Sequence, residues 1–159
     1  MKTVLIVDDT KNIRTLLTTC LEINGYNTLT AKNGEEALEF FKTKTIDLVF
    51  LDIKMPELSG TEVLRRIRNM GITIPVVIMT AFATVKNAVE CTKLGAVAYL
   101  QKPFTADKVS SLLTELENSP TEPNNEIDIK ASINLAIDLI EQNDLRSALE
   151  TLKLLEKLL

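Results

Sequence analysis

The sequence predicts an α/β protein: a five-stranded parallel sheet doubly wound by helices, followed by a small α-helical hairpin. Three observations predict it. Short strand-like runs alternate with segments of helical periodicity, five times over between residues 3 and 117. The runs at 4–7, 48–51 and 75–79 are apolar throughout, as strands covered by helices on both faces must be. After the fifth helical segment the composition changes abruptly, and two further apolar-periodic segments follow a polar stretch.

Each element has its own signal. "TVLIV" (3–7) reads as a buried strand, and Ile13, Leu16, Leu17, Cys20 and Leu21 then recur at helical spacing until Gly25 stops them. "NTLTA" (27–31) alternates as a strand does, and "GEEALEFFK" (34–42) is an amphipathic helix. "LVFL" (48–51) is strand, "TEVLRRIRNM" (61–70) is helix ending near Gly71, and "PVVIM" (75–79) is strand. "ATVKNAVECTKLG" (83–95) is helix closed by Gly95, "AVAYL" (96–100) is strand and "ADKVSSLLTELE" (106–117) is helix. Right-handed crossovers leave few topologies, and the flavodoxin-like strand order 2-1-3-4-5 is the natural one. The first domain is expected to span 1–118 and a linker 119–126, a stretch with two prolines and no aliphatic residue. The hairpin is expected over 127–159, one helix marked by Ile129, Ile133, Ile137 and Ile140 and another by Leu145, Leu149, Leu152 and Leu155.

Composition narrows the chemistry. The chain has 159 residues, 45% hydrophobic and 25% charged, with a formal net charge of −4, the profile of a globular protein. No basic patch stands out, so a partner set without DNA is expected. The opening "MKTVLIVDD" has too short an apolar run for a signal peptide. No stretch approaches a membrane span, so a cytoplasmic location and no membrane partner are expected. Cys20 and Cys91 fall in helical apolar patterns and are expected to be buried thiols. There is no histidine, which removes Ser/His and Cys/His catalysis. Carboxylates, lysine and hydroxyls must carry the chemistry.

In an open parallel sheet, ligands bind at the carboxyl ends of the strands. The first strand runs into Asp8 and Asp9, the third into Asp52, the fourth into Thr80, and the fifth through Gln101 to Lys102. Taken singly, each has an ordinary explanation: helix caps at Asp9 or Thr10, a turn at Asp52, a cap at Thr80, a solvated lysine. Order 2-1-3-4-5 makes those four strands neighbours, and the conjunction is far more specific than any part. It suits phosphoryl transfer to a carboxylate. Asp8, Asp9 and Asp52 can help hold a hard divalent cation, Mg²⁺, and Asp52 can attack phosphorus. Lys102 and Thr80 can meet the phosphoryl oxygens.

The segments "VLIVDD", "DLVFLDIKMPELSG", "IMTAFAT" and "GAVAYLQKPF", in this order, resemble the bacterial response-regulator receiver domain of two-component signalling over roughly residues 1–118. The resemblance implies that Asp52 is the phosphoacceptor, that Asp8, Asp9 and Asp52 bind Mg²⁺ together with the backbone carbonyl of Lys54, and that Lys102 binds phosphate. It makes Thr80 and Tyr99 switch residues and Lys102–Pro103 a cis peptide. It further implies a histidine kinase or histidine phosphotransfer protein as phosphoryl donor, and a protein that catalyses only its own phosphorylation and dephosphorylation. Lys54 and Phe82 flank the pocket in sequence, where bulk could slow hydrolysis of the phosphorylated form.

The alternative function is a Mg²⁺-dependent phosphohydrolase with an aspartyl nucleophile. Haloacid-dehalogenase-like phosphatases place a second acid two residues after the nucleophile, a spacing "VDDT" lacks. The tail is too short to bury a core alone, so residues 127–159 are expected to form a homodimer or to dock on the receiver or a partner. The face around Tyr99 is a second candidate for dimerisation.

Overall fold

The computed structural model describes residues 1–81 and 85–118. The expected linker over 119–126, the hairpin over 127–159 with its proposed dimer contact, and Phe82 lie outside the described residues.

Among the described residues ten elements alternate: β1 (Thr3–Val7), α1 (Lys11–Ile23), β2 (Asn27–Ala31), α2 (Gly34–Thr43), β3 (Leu48–Asp52), α3 (Gly60–Asn69), β4 (Val76–Thr80), α4 (Val85–Lys93), β5 (Ala98–Gln101) and α5 (Ala106–Asn118). The five strands form one parallel sheet in the order β2-β1-β3-β4-β5, the flavodoxin-like arrangement expected from the sequence. Asp52, Thr80 and Gln101 prove to be the last paired residues of their strands rather than the first residues beyond them.

Alternation along each strand splits the core in two. Leu5, Val7, Val49, Leu51, Val76 and Ile78 pack with α2, α3 and α4 on one face. Val4, Ile6, Leu48, Phe50, Val77, Met79 and Leu100 pack with α1 and α5 on the other. Every residue of β3 and β4 is buried, because helices cover both sides of the sheet. Cys20 and Cys91 are buried free thiols in opposite cores, and burial pushes the Cys91 thiol up to about 11.

Helix ends are set by local chemistry. Asn33 and Ser59 accept hydrogen bonds from the backbone N–H groups of Glu36 and Glu62, capping α2 and α3. Arg68, near the end of α3, ties two loops together. Its guanidinium donates to the carbonyls of Ile72 and Ile74, both at 2.9 Å, and to those of Leu94 at 2.7 Å and Gly95 at 3.3 Å. Gly95 holds φ at +83°, a conformation glycine adopts without steric cost, and this turns the chain from α4 toward β5. Arg65 links the same helices through ion pairs to Glu62 and Glu90.

These contacts give a stability prediction. Arg68→Met leaves four part-buried carbonyls without the guanidinium and should cost about 2–3 kcal/mol in urea unfolding. Arg66→Met removes only an exposed pair with Glu62 and should cost less than about 1 kcal/mol. Equal losses would contradict the role given to Arg68.

Candidate functional site

The carboxyl ends of β1, β3, β4 and β5 meet at one edge of the sheet. Asp8 follows β1 directly and is fully buried, while Asp9 beside it is exposed. Their repulsion is therefore eased by turning one acid inward and the other to solvent. The capping explanation for this pair fails at Thr10, whose side chain makes no cap hydrogen bond. Asp8 Oδ1 instead accepts from the Thr10 backbone N–H at 2.8 Å, closing the turn into α1.

Asp52 ends β3 with only 3% of its surface exposed. Lys102, the first residue after β5, is no solvated surface lysine. Its Nζ lies 2.6 Å from Asp8 Oδ2 and 3.3 Å from Asp52 Oδ2, and its backbone N–H donates to the Thr80 carbonyl at 2.9 Å. The Lys102–Pro103 peptide is cis, as the resemblance implied. Burial pushes the Asp52 carboxyl up to about 6, the charge of Asp8 adds to this, and Lys102 pulls the other way.

Three carboxylates against one lysine leave this pocket net negative. One oxygen from each of Asp8, Asp9 and Asp52 lies within 4.8 Å of the others. Hard oxygen donors gathered in this way are what a small divalent cation such as Mg²⁺ takes. Asp8 Oδ2 supports that fit: despite its ion pair with Lys102, it is buried without a hydrogen-bond partner. An acidic pocket able to hold a divalent cation is therefore present.

The remaining expected residues surround this centre. Thr80 is buried at the end of β4. Lys54 is exposed in the loop after β3, two residues beyond Asp52. Tyr99, on β5, is half-buried against the α3–α4 side of the sheet. Its hydroxyl lies 2.7 Å from both the Ala88 carbonyl and Thr92 Oγ1, and Thr92 Oγ1 lies 2.8 Å from the same carbonyl. Where the two hydroxyls bond each other, either can be the donor while the other donates to the carbonyl, which gives two alternative donor patterns.

One determinant escaped the sequence reading. Gly60 opens α3 directly against the end of β3, donating its N–H to the Ile53 carbonyl at 2.8 Å. A Cβ there would stand 2.0 Å from the Asp52 carbonyl oxygen and 2.8 Å from Ile53 Cα. Both are backbone atoms, so no rotamer could relieve the clash. The available signal was a glycine immediately after a capping serine in "LSG".

Comparison with known proteins accords with this geometry. Residues 4–114 match the response regulator receiver domain. The transcriptional regulatory protein ZraR of Klebsiella oxytoca is 44% identical over 112 residues, covering 70% of this chain and 25% of ZraR. The alkaline phosphatase synthesis transcriptional regulatory protein PhoP of Bacillus subtilis is 39% identical over 110 residues, covering 69% of this chain and 46% of PhoP. Among solved structures, the response regulator TrrA of Thermotoga maritima in complex with Mg(2+)-BeF is 39% identical, with a TM-score of 0.65 over 73% of this chain and 99% of TrrA. The chain spans between about a quarter and just over half of the curated relatives it matches.

These relatives correct one expectation. A partner set without DNA does not stand, because ZraR and PhoP are transcriptional regulatory proteins. The physical reason is simple. Net charge and the missing basic patch describe these 159 residues, and the charge of the part that matches does not report on the remaining length of those relatives. No helix among the described residues is long and apolar enough to cross a membrane.

The tight contact at Gly60 predicts that Gly60→Ala displaces the end of β3. It should lower the melting temperature by about 5–10 °C and shift the Asp52 and Ile53 amide resonances. Ser59→Ala removes only the cap acceptor and should cost about 1 kcal/mol while leaving those resonances in place. Unmoved Asp52 and Ile53 signals in Gly60→Ala would contradict the close approach.

Proposed function

This chain belongs to the response regulator receiver domain family of two-component signalling, and we propose that Asp52 is its phosphoacceptor. Members of the family are phosphoacceptor switches rather than classical enzymes. The observation that carries the assignment is Lys102, which pairs with both Asp8 and Asp52 in a pocket of three acids.

The donor in this reading is a phosphohistidine on a histidine kinase or histidine phosphotransfer protein, since the chain itself has no histidine. An Asp52 oxygen attacks phosphorus, the P–N bond breaks, and the imidazole departs with the electron pair. Bound by Asp8, Asp9, Asp52 and the Lys54 carbonyl, Mg²⁺ would offset charge on the phosphoryl oxygens. That TrrA was solved with Mg(2+)-BeF, whose beryllium fluoride mimics a phosphoryl group, supports this choice of metal. Lys102 moves from pairing two carboxylates to neutralising a phosphoryl oxygen. The Thr80 hydroxyl then donates to another.

Phosphorylation takes Asp52 from one negative charge to nearly two. Thr80 drawn toward the phosphate changes the space beside Tyr99, whose hydroxyl holds α4 through Ala88 and Thr92. The outcome is a population shift between two packings of α4 and β5, read by protein–protein contact. The receiver spans 1–118, with 119–126 as linker and 127–159 as an appended helical segment.

The test is incubation with acetyl phosphate and Mg²⁺, followed by intact mass. One phosphoryl group should be added, stable in acid and labile in base, and Asp52→Asn should abolish it. Lys102→Ala should slow the addition at least about tenfold. Sustained turnover of an external phosphoester would instead mark a phosphohydrolase, and modification persisting in Asp52→Asn would remove Asp52 from the role.

A further inference from the structure

Asp8 is held at nearly every polar atom it has. Its N–H donates to the Ala31 carbonyl at 3.1 Å, anchoring it to β2. Its Oδ1 accepts from the Thr10 N–H at 2.8 Å. Its backbone carbonyl accepts from Arg14 Nη1 at 2.7 Å. Only Oδ2 remains without a hydrogen bond, facing Lys102. Arg14 itself is half-buried on the first turn of α1, and no step proposed above uses it.

The carbonyl that Arg14 grips belongs to the peptide unit joining Asp8 to Asp9. A peptide unit is planar, so holding its oxygen restrains the plane, and the plane together with the adjoining torsions, ψ of Asp8 and φ of Asp9, sets the directions in which the two side chains leave the backbone. Asp8 is buried and anchored elsewhere, but Asp9 is exposed. For Asp9, the orientation of this plane is the main link to the buried half of the site. We propose that Arg14 is a positioning residue for the divalent cation, holding the Asp8–Asp9 peptide so that one acid from each direction reaches the ion. This rests on reading Asp8, Asp9 and Asp52 as a Mg²⁺ site.

Charge and geometry make opposite forecasts for Arg14. As a nearby positive charge it repels a cation, so its removal would tighten binding. As an anchor for the peptide it aids the ion, so its removal would loosen binding. The sign of the change decides between them.

The experiment is calorimetric titration of the full-length protein with MgCl₂ at constant ionic strength, alongside the Asp9 amide resonance of the metal-free protein. Arg14→Met should weaken Mg²⁺ binding about tenfold and shift that resonance, with the melting temperature recorded on the same samples. Arg14→Lys keeps the charge and one donor, and should recover part of the affinity. Tighter or unchanged Mg²⁺ binding in Arg14→Met overturns the positioning role. If Arg14→Met does not fold, Arg14→Ala decides instead: unchanged or tighter Mg²⁺ binding together with an unmoved Asp9 amide would overturn the role. A wild-type protein that binds no Mg²⁺, or binds it equally well as Asp9→Asn, would defeat the metal reading itself, a result distinguishable from either.

Discussion

Two carboxylates buried at the end of a sheet and sharing one lysine are the constraint on which this molecule is arranged. At Asp52, burial and the neighbouring Asp8 charge outweigh the pull of the Lys102 ammonium at 3.3 Å, so its carboxyl lies above the usual range. The surplus negative charge makes the pocket receptive to a cation, and a cation there would relieve the repulsion that burial intensifies. Stability is given up at this edge, and the two apolar cores on either side of the sheet supply the rigidity that keeps the acids together.

The supports of this cluster come from separate parts of the chain. Ala31 at the end of β2 and Arg14 on α1 hold Asp8, while Gly60 lets α3 begin against the backbone of Asp52. Lys102 is tied through its own backbone to the end of β4. On the neighbouring face α4 is fastened by polar contacts as well as by packing, Tyr99 from β5 and Arg65 from α3, while Arg68 of α3 holds the turn that follows it. Hydrogen bonds with two alternative donor patterns, as around Tyr99, can be exchanged at less cost than a close-packed core can be repacked. That gives a physical route from a new charge at Asp52 to a shift in α4.

Much of this was legible before any coordinates. The continuous aliphatic runs at β1, β3 and β4 and the periodic segments between them dictate a covered parallel sheet, and sheet topology then brings Asp8, Asp52, Thr80 and Lys102 to one edge. What could not be read was contact between backbones. Nothing in "LSG" states that α3 begins within touching distance of Asp52, and nothing in "TKNIR" states that Arg14 reaches back to a carbonyl. Helix N-terminal reasoning places the cap at Asp9 or Thr10; Thr10 is the N-cap residue, but its side chain makes no cap hydrogen bond, and Asp8 Oδ1 instead accepts from its N–H. The DNA expectation failed for a different reason: net charge and patch reasoning carries no information on the length by which the transcriptional regulators exceed the matched part.

The most direct measurement of the central claim is chemical localisation of the phosphoryl group. The phosphorylated protein is reduced with borohydride, which converts an aspartyl phosphate to homoserine, and then digested and sequenced by mass spectrometry. The account predicts homoserine at position 52 and unmodified aspartate at 8 and 9. Homoserine at either of those acids, with Asp52 intact, would contradict it.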